Sequence, residues 1–187
     1  MKESVKKKLD VVINIFLVIA IVVLLATFIF RQTYLSVTVE GNSMNPTIEN
    51  LEMGYMKKVN SKTKINRFDI VAVDMSATKG TDTLWIKRVV GLPYEKVEIK
   101  GNELYINGAL VPQTFSILGD TSRYDCSYTL ENEYLIAGDN RQTSVLATII
   151  TKDQIKAKNG FIYRQCVSYD DTTNVCSVKG DRKWKKL

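Results

Sequence analysis

The sequence predicts a mostly β protein built from antiparallel sheets and attached to a membrane by one N-terminal helix. The first observation behind this prediction is a long apolar run at residues 11–30. The second is a series of short segments after it, rich in β-branched and aromatic residues. The turns between these segments are too short for helical crossovers, which favours antiparallel pairing.

The apolar run "VVINIFLVIAIVVLLATFIF" is interrupted only by Asn14 and Thr27. A helix of this length measures about 30 Å, which matches the hydrocarbon core of a bilayer. A cleaved signal peptide is the main alternative, but its apolar stretch is shorter and small residues follow it. Residues 28–30, Phe-Ile-Phe, make a poor cleavage site, so we expect a retained anchor. A buried soluble helix fits least, because the run is apolar on every side.

Flanking charge predicts the orientation of this helix. Four lysines precede the run, whereas Arg31 is the only basic residue after it until Lys57. Positive residues favour the cytoplasmic side of a membrane. We therefore expect residues 1–10 in the cytoplasm and residues 31–187 outside it.

The folded part, residues 31–178, divides into predicted strands separated by turns. Residues 95–111 indicate hairpins with turns at Gly101-Asn102 and Asn107-Gly108, and a small inserted β subdomain is expected at about 101–133. Residues 147–158 fit either a strand followed by a turn or one short helix. The other predicted strands lie at 34–39, 69–75, 83–91, 133–140 and 160–170.

Composition excludes several classes of function. The net charge is +6, with +2 in residues 1–10 and +4 in residues 179–187, so residues 11–178 are neutral. A nucleic-acid-binding protein usually concentrates its positive charge on the folded domain, so no nucleic-acid partner is expected. There is no histidine, which excludes Ser-His-Asp triads and most zinc sites.

The three cysteines and the basic C-terminal tail leave alternatives open. Cys126, Cys166 and Cys176 form no C-x-x-C motif, so we expect neither a metal nor a redox site. Three free thiols are the first expectation, and a Cys166–Cys176 bridge is the alternative. The basic tail at 179–187 could touch anionic lipid or a wall polymer, but we expect a disordered, solvated tail.

The segment "GNSMNPTIEN" at 41–50 raises the question of a nucleophile. Gly41 permits a close backbone approach, and Pro46 fixes one φ angle and keeps Asn45 out of a helix. Met44 places an apolar side chain beside the hydroxyl of Ser43. A plain turn between strands explains the same residues.

Lys87 supports a catalytic role for Ser43. In "TLWIKRVV" the alternation of a strand puts Lys87 on one face with Trp85 and Val89, and puts Arg88 on the other. An apolar surrounding lowers the pKa of a lysine, so its neutral amine can act as a base. The alternative is a lysine whose ammonium reaches solvent. Without histidine, a Ser–Lys pair is the natural way to activate a serine here.

A third segment, "GDNRQTS" at 138–144, is by itself only a turn signal. In order, S-M-x-P-T, K-R-V-V-G-L-P and G-D-N-R-x-x-S behind one anchor resemble the type I signal peptidases, which are membrane-bound Ser–Lys endopeptidases. The resemblance runs from Val39 to about Arg164 and is nearest to the Gram-positive branch. It implies a β-rich signal-peptidase-like fold, no cofactor and no metal. It also implies a lipid bilayer as surroundings and, as substrates, signal peptides with small residues at the cleavage site.

The resemblance also implies roles for single residues. Ser43 matches the nucleophile, and its backbone N–H would donate to the oxyanion. Lys87 matches the general base, and Ser144 matches the serine that orients the lysine. Gly41 stands where some relatives have a second oxyanion donor. Five more residues match structural positions around the site: Met44, Pro46, Arg88, Asp139 and Arg141.

The match fails after the GDNR motif. The family continues with Asp, Ser and Arg where this chain has Leu146, Ala147 and Thr148. Phe68 and the pair Tyr94-Glu95 replace a usual Gly and a usual Gly-Asp. In the family, the Asp and the Arg brace each other and the wall behind the lysine. Their loss here suggests a specialised member. The alternative function is therefore a signal-peptidase-like pilus assembly factor or chaperone, with pilin and the sortase machinery as partners and with reduced or no proteolysis.

Overall fold

The N-terminal segment is one long helix, α1, at Glu3–Thr33. The computed structural model describes residues 3–76, 84–119, 125–144, 147–164, 166–170, 175–178 and 185–187. Within α1, the segment Lys7–Thr33 is long and apolar enough to cross a membrane, and none of it is buried against the rest of the chain. The predicted anchor at 11–30 lies inside this helix.

The remainder of the described chain is almost entirely β structure, as predicted. The strands are β1 (Tyr34–Thr38), β2 (Met53–Lys58), β3 (Ile70–Asp74), β4 (Leu84–Gly91), β5 (Lys96–Lys100), β6 (Glu103–Ile106), β7 (Ala109–Val111), β8 (Cys126–Thr129), β9 (Glu133–Ala137), β10 (Thr148–Thr151), β11 (Ile155–Arg164), β12 (Cys166–Asp170), β13 (Val175–Val178) and β14 (Lys185–Lys186).

These strands form two sheets and a hairpin. The large sheet has the order β1-β2-β11-β3-β4-β9-β10, with β14 added beside β11. The small sheet has the order β7-β6-β5-β8, and β12 pairs with β13. All pairs between these strands are antiparallel, which confirms the predicted pairing.

Three hydrophobic clusters hold the sheets together. The first lies between the small sheet and strands β4 and β9, and includes Val90, Val97 and Leu135. The second joins β1, β2 and β11 to the loop at 41–50 through Met44 and Ile48. The third lies around β3, β9 and β11. The loop that carries Ser43 is therefore packed on the core from one side.

Several predicted elements are confirmed, and four strands were missed, namely β2, β8, β13 and β14. Residues 147–158 form a strand, a short 3-10 turn at Lys152–Gln154 and the start of β11, which decides between the two alternatives. Strand β2 was not predicted, because its sequence contains a glycine and ends in two lysines. A Cβ on Gly54 would lie 2.5 Å from the carbonyl oxygen of Phe161, so close strand packing requires that glycine. Strand β8 has only four residues and was also missed.

The expectation of a disordered tail is wrong for its last residues. Lys185 and Lys186 pair with Ile162 and Phe161 of β11, and the Leu187 side chain packs against the second cluster. The backbone N–H of Leu187 also donates to the Gly160 carbonyl oxygen at 2.9 Å. Residues 179–184 lie outside the described residues.

The small sheet begins at Lys96, ahead of the expected subdomain boundary at about 101. Cys126 is a free thiol in β8. Cys166 and Cys176 lie in β12 and β13, and their side chains lie outside the described part of the structure, so the proposed bridge stays a prediction.

Candidate active site

Strand β4 presents Lys87 and Arg88 on opposite faces, as its alternation predicts. The Lys87 side chain is 8% exposed, and its Nζ lies 5.6 Å from the centre of the Trp85 ring. Register with β3 and β9 holds this strand in the middle of the large sheet. The lysine is therefore fixed on a rigid element rather than on a loop.

The loop between β1 and β2 carries Ser43. Met44 and Ile48 are buried at 1% and 0% exposure, and the Ile48 N–H donates to the Met44 carbonyl oxygen at 2.9 Å. Gly41 has a φ of +93°, a conformation that L residues rarely adopt. Its N–H donates to the Asn50 side chain at 2.8 Å, which closes the loop. Pro46 follows a cis peptide bond.

The structure brings Ser43 and Lys87 into direct contact. Lys87 Nζ lies 2.5 Å from Ser43 Oγ. Burial lowers the pKa of Lys87 from 10.5 to about 8, although the nearby negative charge of Asp139 acts in the opposite direction. The amine therefore stays mostly protonated at pH 7, but its neutral fraction is far larger than that of a solvated lysine, and it lies within hydrogen-bonding distance of the hydroxyl. Among the described residues, none accepts a hydrogen bond from the Ser43 backbone N–H.

Asp139 ties the lysine strand to the serine loop. Arg88 donates to both of its carboxylate oxygens, at 2.8 and 2.6 Å. The Thr47 hydroxyl donates to the same carboxylate and accepts from Arg88 Nη2 at 3.3 Å. Arg88 is 7% exposed and Asp139 is 1% exposed, and the Phe115 ring lies 4.0 Å from the guanidinium carbon of Arg88. Such a buried pair depends on both partners being present.

The segment at 138–144 contacts Ser43 through the backbone. The Ser43 carbonyl oxygen accepts hydrogen bonds from the Asn140 N–H and from the Ser144 hydroxyl, each at 3.0 Å. Gly138 lies against both partners: a Cβ there would be 1.7 Å from Ser144 Oγ and 2.5 Å from the Ser43 oxygen. Ser144 was expected to orient Lys87. Its hydrogen bond to the serine loop was not anticipated, and an action on Lys87 stays a prediction.

Comparison with known proteins gives these contacts a context. The sequence model of the family described as "Signal peptidase, peptidase S26" matches residues 8–163. The chain belongs to this family. It is 31% identical to signal peptidase I S of Bacillus subtilis over 161 residues, which covers 78% of this chain and 85% of that protein.

Two other relatives agree with this assignment. Signal peptidase I V of Bacillus subtilis is 34% identical over 142 residues, 67% of this chain and 82% of its own length. Signal peptidase I P of Bacillus subtilis subsp. natto is 29% identical over 177 residues, 87% of this chain and 94% of its own length.

A groove opens beside the contact between Ser43 and Lys87. It has a volume of about 500 Å³ and runs between the end of β1 and the first half of β4. Pairing of β4 with β9 begins at Arg88, so Ile86 and Lys87 precede that pairing and line the groove. Val39, Met44 and Ile86 give it apolar walls, and Glu40 and Thr143 add polar groups. An extended peptide is the ligand shape that fits between two strands.

The departures from the S26 resemblance have a partial explanation. Phe68 and Tyr94, which replace glycines, have φ angles of +69° and +67°, a region that favours glycine. Phe68 compensates through its carbonyl oxygen, which accepts from Arg88 at 2.9 Å, and through a ring contact with Phe115 at 5.3 Å. Ala147 is buried in the first cluster, whereas Leu146 lies outside the described residues.

The remaining expected site residue, Arg141, is buried at 3% exposure, and its backbone N–H donates to the Leu118 carbonyl oxygen at 2.8 Å.

Sequence reasoning missed Thr47, Gly138 and Phe115. Thr47 and Gly138 stand inside the motifs already singled out, but no sequence pattern pointed to Phe115.

No group of three or more His, Cys, Asp or Glu side chains in the described part of the chain is arranged to hold a metal ion.

Proposed function

We propose that this chain is a membrane-anchored serine endopeptidase that removes N-terminal signal peptides, with Ser43 as nucleophile and Lys87 as general base. The observation that carries this proposal is the 2.5 Å contact between Ser43 Oγ and the buried Nζ of Lys87. Membership of the S26 family supports the substrate class.

The first half of the reaction is acylation. With the Lys87 amine neutral, the Ser43 hydroxyl donates its proton to Nζ while Oγ attacks the carbonyl carbon of the scissile bond. The Ser43 backbone N–H donates to the developing oxyanion. The intermediate then collapses: the C–N bond breaks, and the Lys87 ammonium returns its proton to the leaving amine. The products are a serine ester and the released mature N-terminus.

The second half is deacylation. Lys87 is neutral again and accepts a proton from water as the water attacks the ester carbonyl. The C–O bond to Ser43 breaks, and Lys87 returns the proton to Oγ. The hydrogen bond from Ser144 to the Ser43 carbonyl oxygen, together with that from Asn140, supports the loop during both steps.

The groove supports an extended substrate with small side chains. The residues before the cleaved bond would lie between the end of β1 and the first half of β4 and form main-chain hydrogen bonds there. The apolar walls formed by Val39, Met44 and Ile86 suit small apolar side chains near the cleaved bond. The signal peptide is therefore the proposed partner in the groove.

The pilus-assembly alternative gains no support from the site. The relatives described above carry the names of peptidases, and the contact between Ser43 and Lys87 favours chemistry over binding alone. Pilin remains one precursor to try as a substrate.

The decisive experiment is cleavage of a signal-peptide reporter and of native precursors, including pilin, followed by mass spectrometry. We expect cleavage by the wild type and none by Ser43→Ala or Lys87→Ala. Lys87→Arg should also be inactive, because a guanidinium does not release its proton at working pH. Lys96→Arg, on an exposed strand of the small sheet, is the matched control and should retain wild-type activity. Cleavage by Ser43→Ala at the wild-type rate, or no cleavage by the wild type, would overturn the proposal.

A further inference from the structure

Glu40 places a negative charge in the groove beside Ser43 and Lys87. It is exposed, and it is the one acidic residue among the described residues that line the groove. Within the described part of the chain, its carboxylate forms no ion pair and accepts no hydrogen bond. Lys87 is the one basic residue among the same lining residues, and it must be neutral to act as the base. The groove in its reactive form therefore carries the single charge of Glu40.

The end of β1 presents Glu40 at an open strand edge. Strand β1 is at one end of the strand order of the large sheet, so one of its two edges is not paired within that sheet. The Val39 N–H donates to the Glu52 carbonyl oxygen at 2.9 Å, and the Val39 carbonyl oxygen accepts from the Leu51 N–H at 2.7 Å. Because backbone groups alternate along a strand, those of Thr38 and Glu40 point away from β2. A peptide that forms main-chain hydrogen bonds with this edge would therefore pass directly beside Glu40.

The two faces of such a bound peptide would meet different surroundings. Val39, Met44 and Ile86, which form the apolar walls of the groove, all pack in the second cluster. Val39 is 5% exposed, whereas Glu40 follows it on the exposed side of the chain. Side chains of an extended peptide alternate in the same way. With the first residue before the cleaved bond against Met44, next to Ser43, the third would face the same walls and the second would face Glu40.

We propose that Glu40 makes the groove select precursors that carry Lys or Arg as the second residue before the cleaved bond. The basic side chain would pair with the Glu40 carboxylate, whereas an acidic side chain at that position would be repelled. Trp85 also lines the groove, and an aromatic ring offers a further favourable surface to a cation. Because an exposed ion pair contributes little, the expected preference is about two- to five-fold. This inference rests on the proposed function for the position of the bound peptide.

The test uses the full chain in detergent with three reporters that differ only at the second residue before the cleaved bond, which is Lys, Gln or Glu. We expect kcat/KM to fall in that order, by about two- to five-fold at each step. Glu40→Gln should make the three values nearly equal, and Glu40→Lys should reverse their order. Glu40→Asp keeps the charge and should keep the order.

The matched control is Glu131→Gln, which removes an exposed carboxylate outside the groove, between β8 and β9. It should keep the wild-type order. Equal cleavage of the three reporters by the wild type, or the wild-type order in Glu40→Gln, would overturn this inference and leave the proposed function standing.

Binding of the same three peptides to Ser43→Ala, measured by fluorescence anisotropy, covers the opposite case. We expect the peptide with Lys to bind most tightly and the peptide with Glu most weakly. This order of Kd, together with no cleavage by the wild type, would support the role of Glu40 and overturn the proposed function. Equal Kd values for the three peptides would contradict the role of Glu40 whatever the cleavage result.

Discussion

Gly138 shapes the candidate active site because it has no Cβ. Its absent Cβ leaves room for the Ser144 hydroxyl and the Ser43 carbonyl oxygen, which meet directly above it. Any larger residue would push the segment at 138–144 away from the serine loop. The glycine therefore sets the distance between two motifs that lie far apart in the sequence.

Gly138→Ala should abolish reporter cleavage while leaving most of the fold intact. The added carbon would lie 1.7 Å from Ser144 Oγ and 2.5 Å from the Ser43 oxygen, so both must shift, and Oγ of Ser43 moves with its backbone. Positioning errors of this kind cost large factors in rate. Cleavage rate and thermal unfolding are the measurements.

Gly108→Ala serves as the control for that variant. Nothing lies within 4 Å of its added Cβ, and its φ of +83° should cost stability by about 1 kcal/mol without touching the site. Wild-type cleavage by Gly138→Ala would contradict the proposed packing.

The residue types in the sequence predicted much of the candidate site, but the contacts between its side chains could not be predicted. The absence of histidine and the alternation in "TLWIKRVV" pointed to Lys87 and to its apolar face. The role of Thr47 could not be predicted, because its partner Asp139 is 92 residues away. The same holds for Phe115, which reaches Arg88 from the connection between β7 and β8. Long-range contacts leave no periodic signal in a single sequence.

At the level of elements, β4 connects the two halves of the site. Lys87 on one face meets the serine loop, and Arg88 on the other binds Asp139, which also accepts from Thr47 in that same loop. The strands predicted by alternation were correct, and those that failed had a glycine in a close-packed position or very few residues, as in β2 and β8. Alternation therefore predicted the longer strands and missed those that are short or contain a close-packed glycine.

The orientation of α1 in the membrane gives a separate prediction. We expect alkaline phosphatase fused after Leu187 to be active, because lysines before a spanning helix favour the cytoplasmic side for residues 1–10 and the outer side for the sheets. The same enzyme fused after Asp10 should be inactive. Replacing Lys6, Lys7 and Lys8 by Glu should lower the activity of the C-terminal fusion. Equal activity of both fusions would contradict this topology.

For the molecule as a whole, the buried lysine is a source of instability. A lysine whose folded pKa lies below its unfolded value destabilises the fold as long as the unfolded chain keeps it protonated, and stability rises with pH wherever the unfolded chain holds more protons. For Lys87 the cost is complete below pH 8 and disappears as the pH rises through 10.5. A shift from 10.5 to about 8 corresponds to about 3 kcal/mol.

Lys87→Met should therefore be inactive and yet more stable than the wild type at pH 7, by up to about 3 kcal/mol. The difference in free energy of unfolding should shrink between pH 8 and 10.5, because the wild type loses its penalty there. Denaturant unfolding at several pH values measures this. Lys96→Met, at an exposed position, should give no such pH-dependent gain. A Lys87→Met variant that is less stable at every pH would contradict the assignment.

The short path from α1 to the serine has a consequence for which bonds can be reached. Helix α1 ends at Thr33, and Ser43 follows ten residues later. Ten residues extend to about 35 Å at most, so the hydroxyl is tethered within that radius of the bilayer exit. With Ser43 as the proposed nucleophile, we expect selection of a precursor by the distance of its scissile bond from the membrane as well as by its side chains. A site that is correct in sequence but held far from the lipid would escape the enzyme.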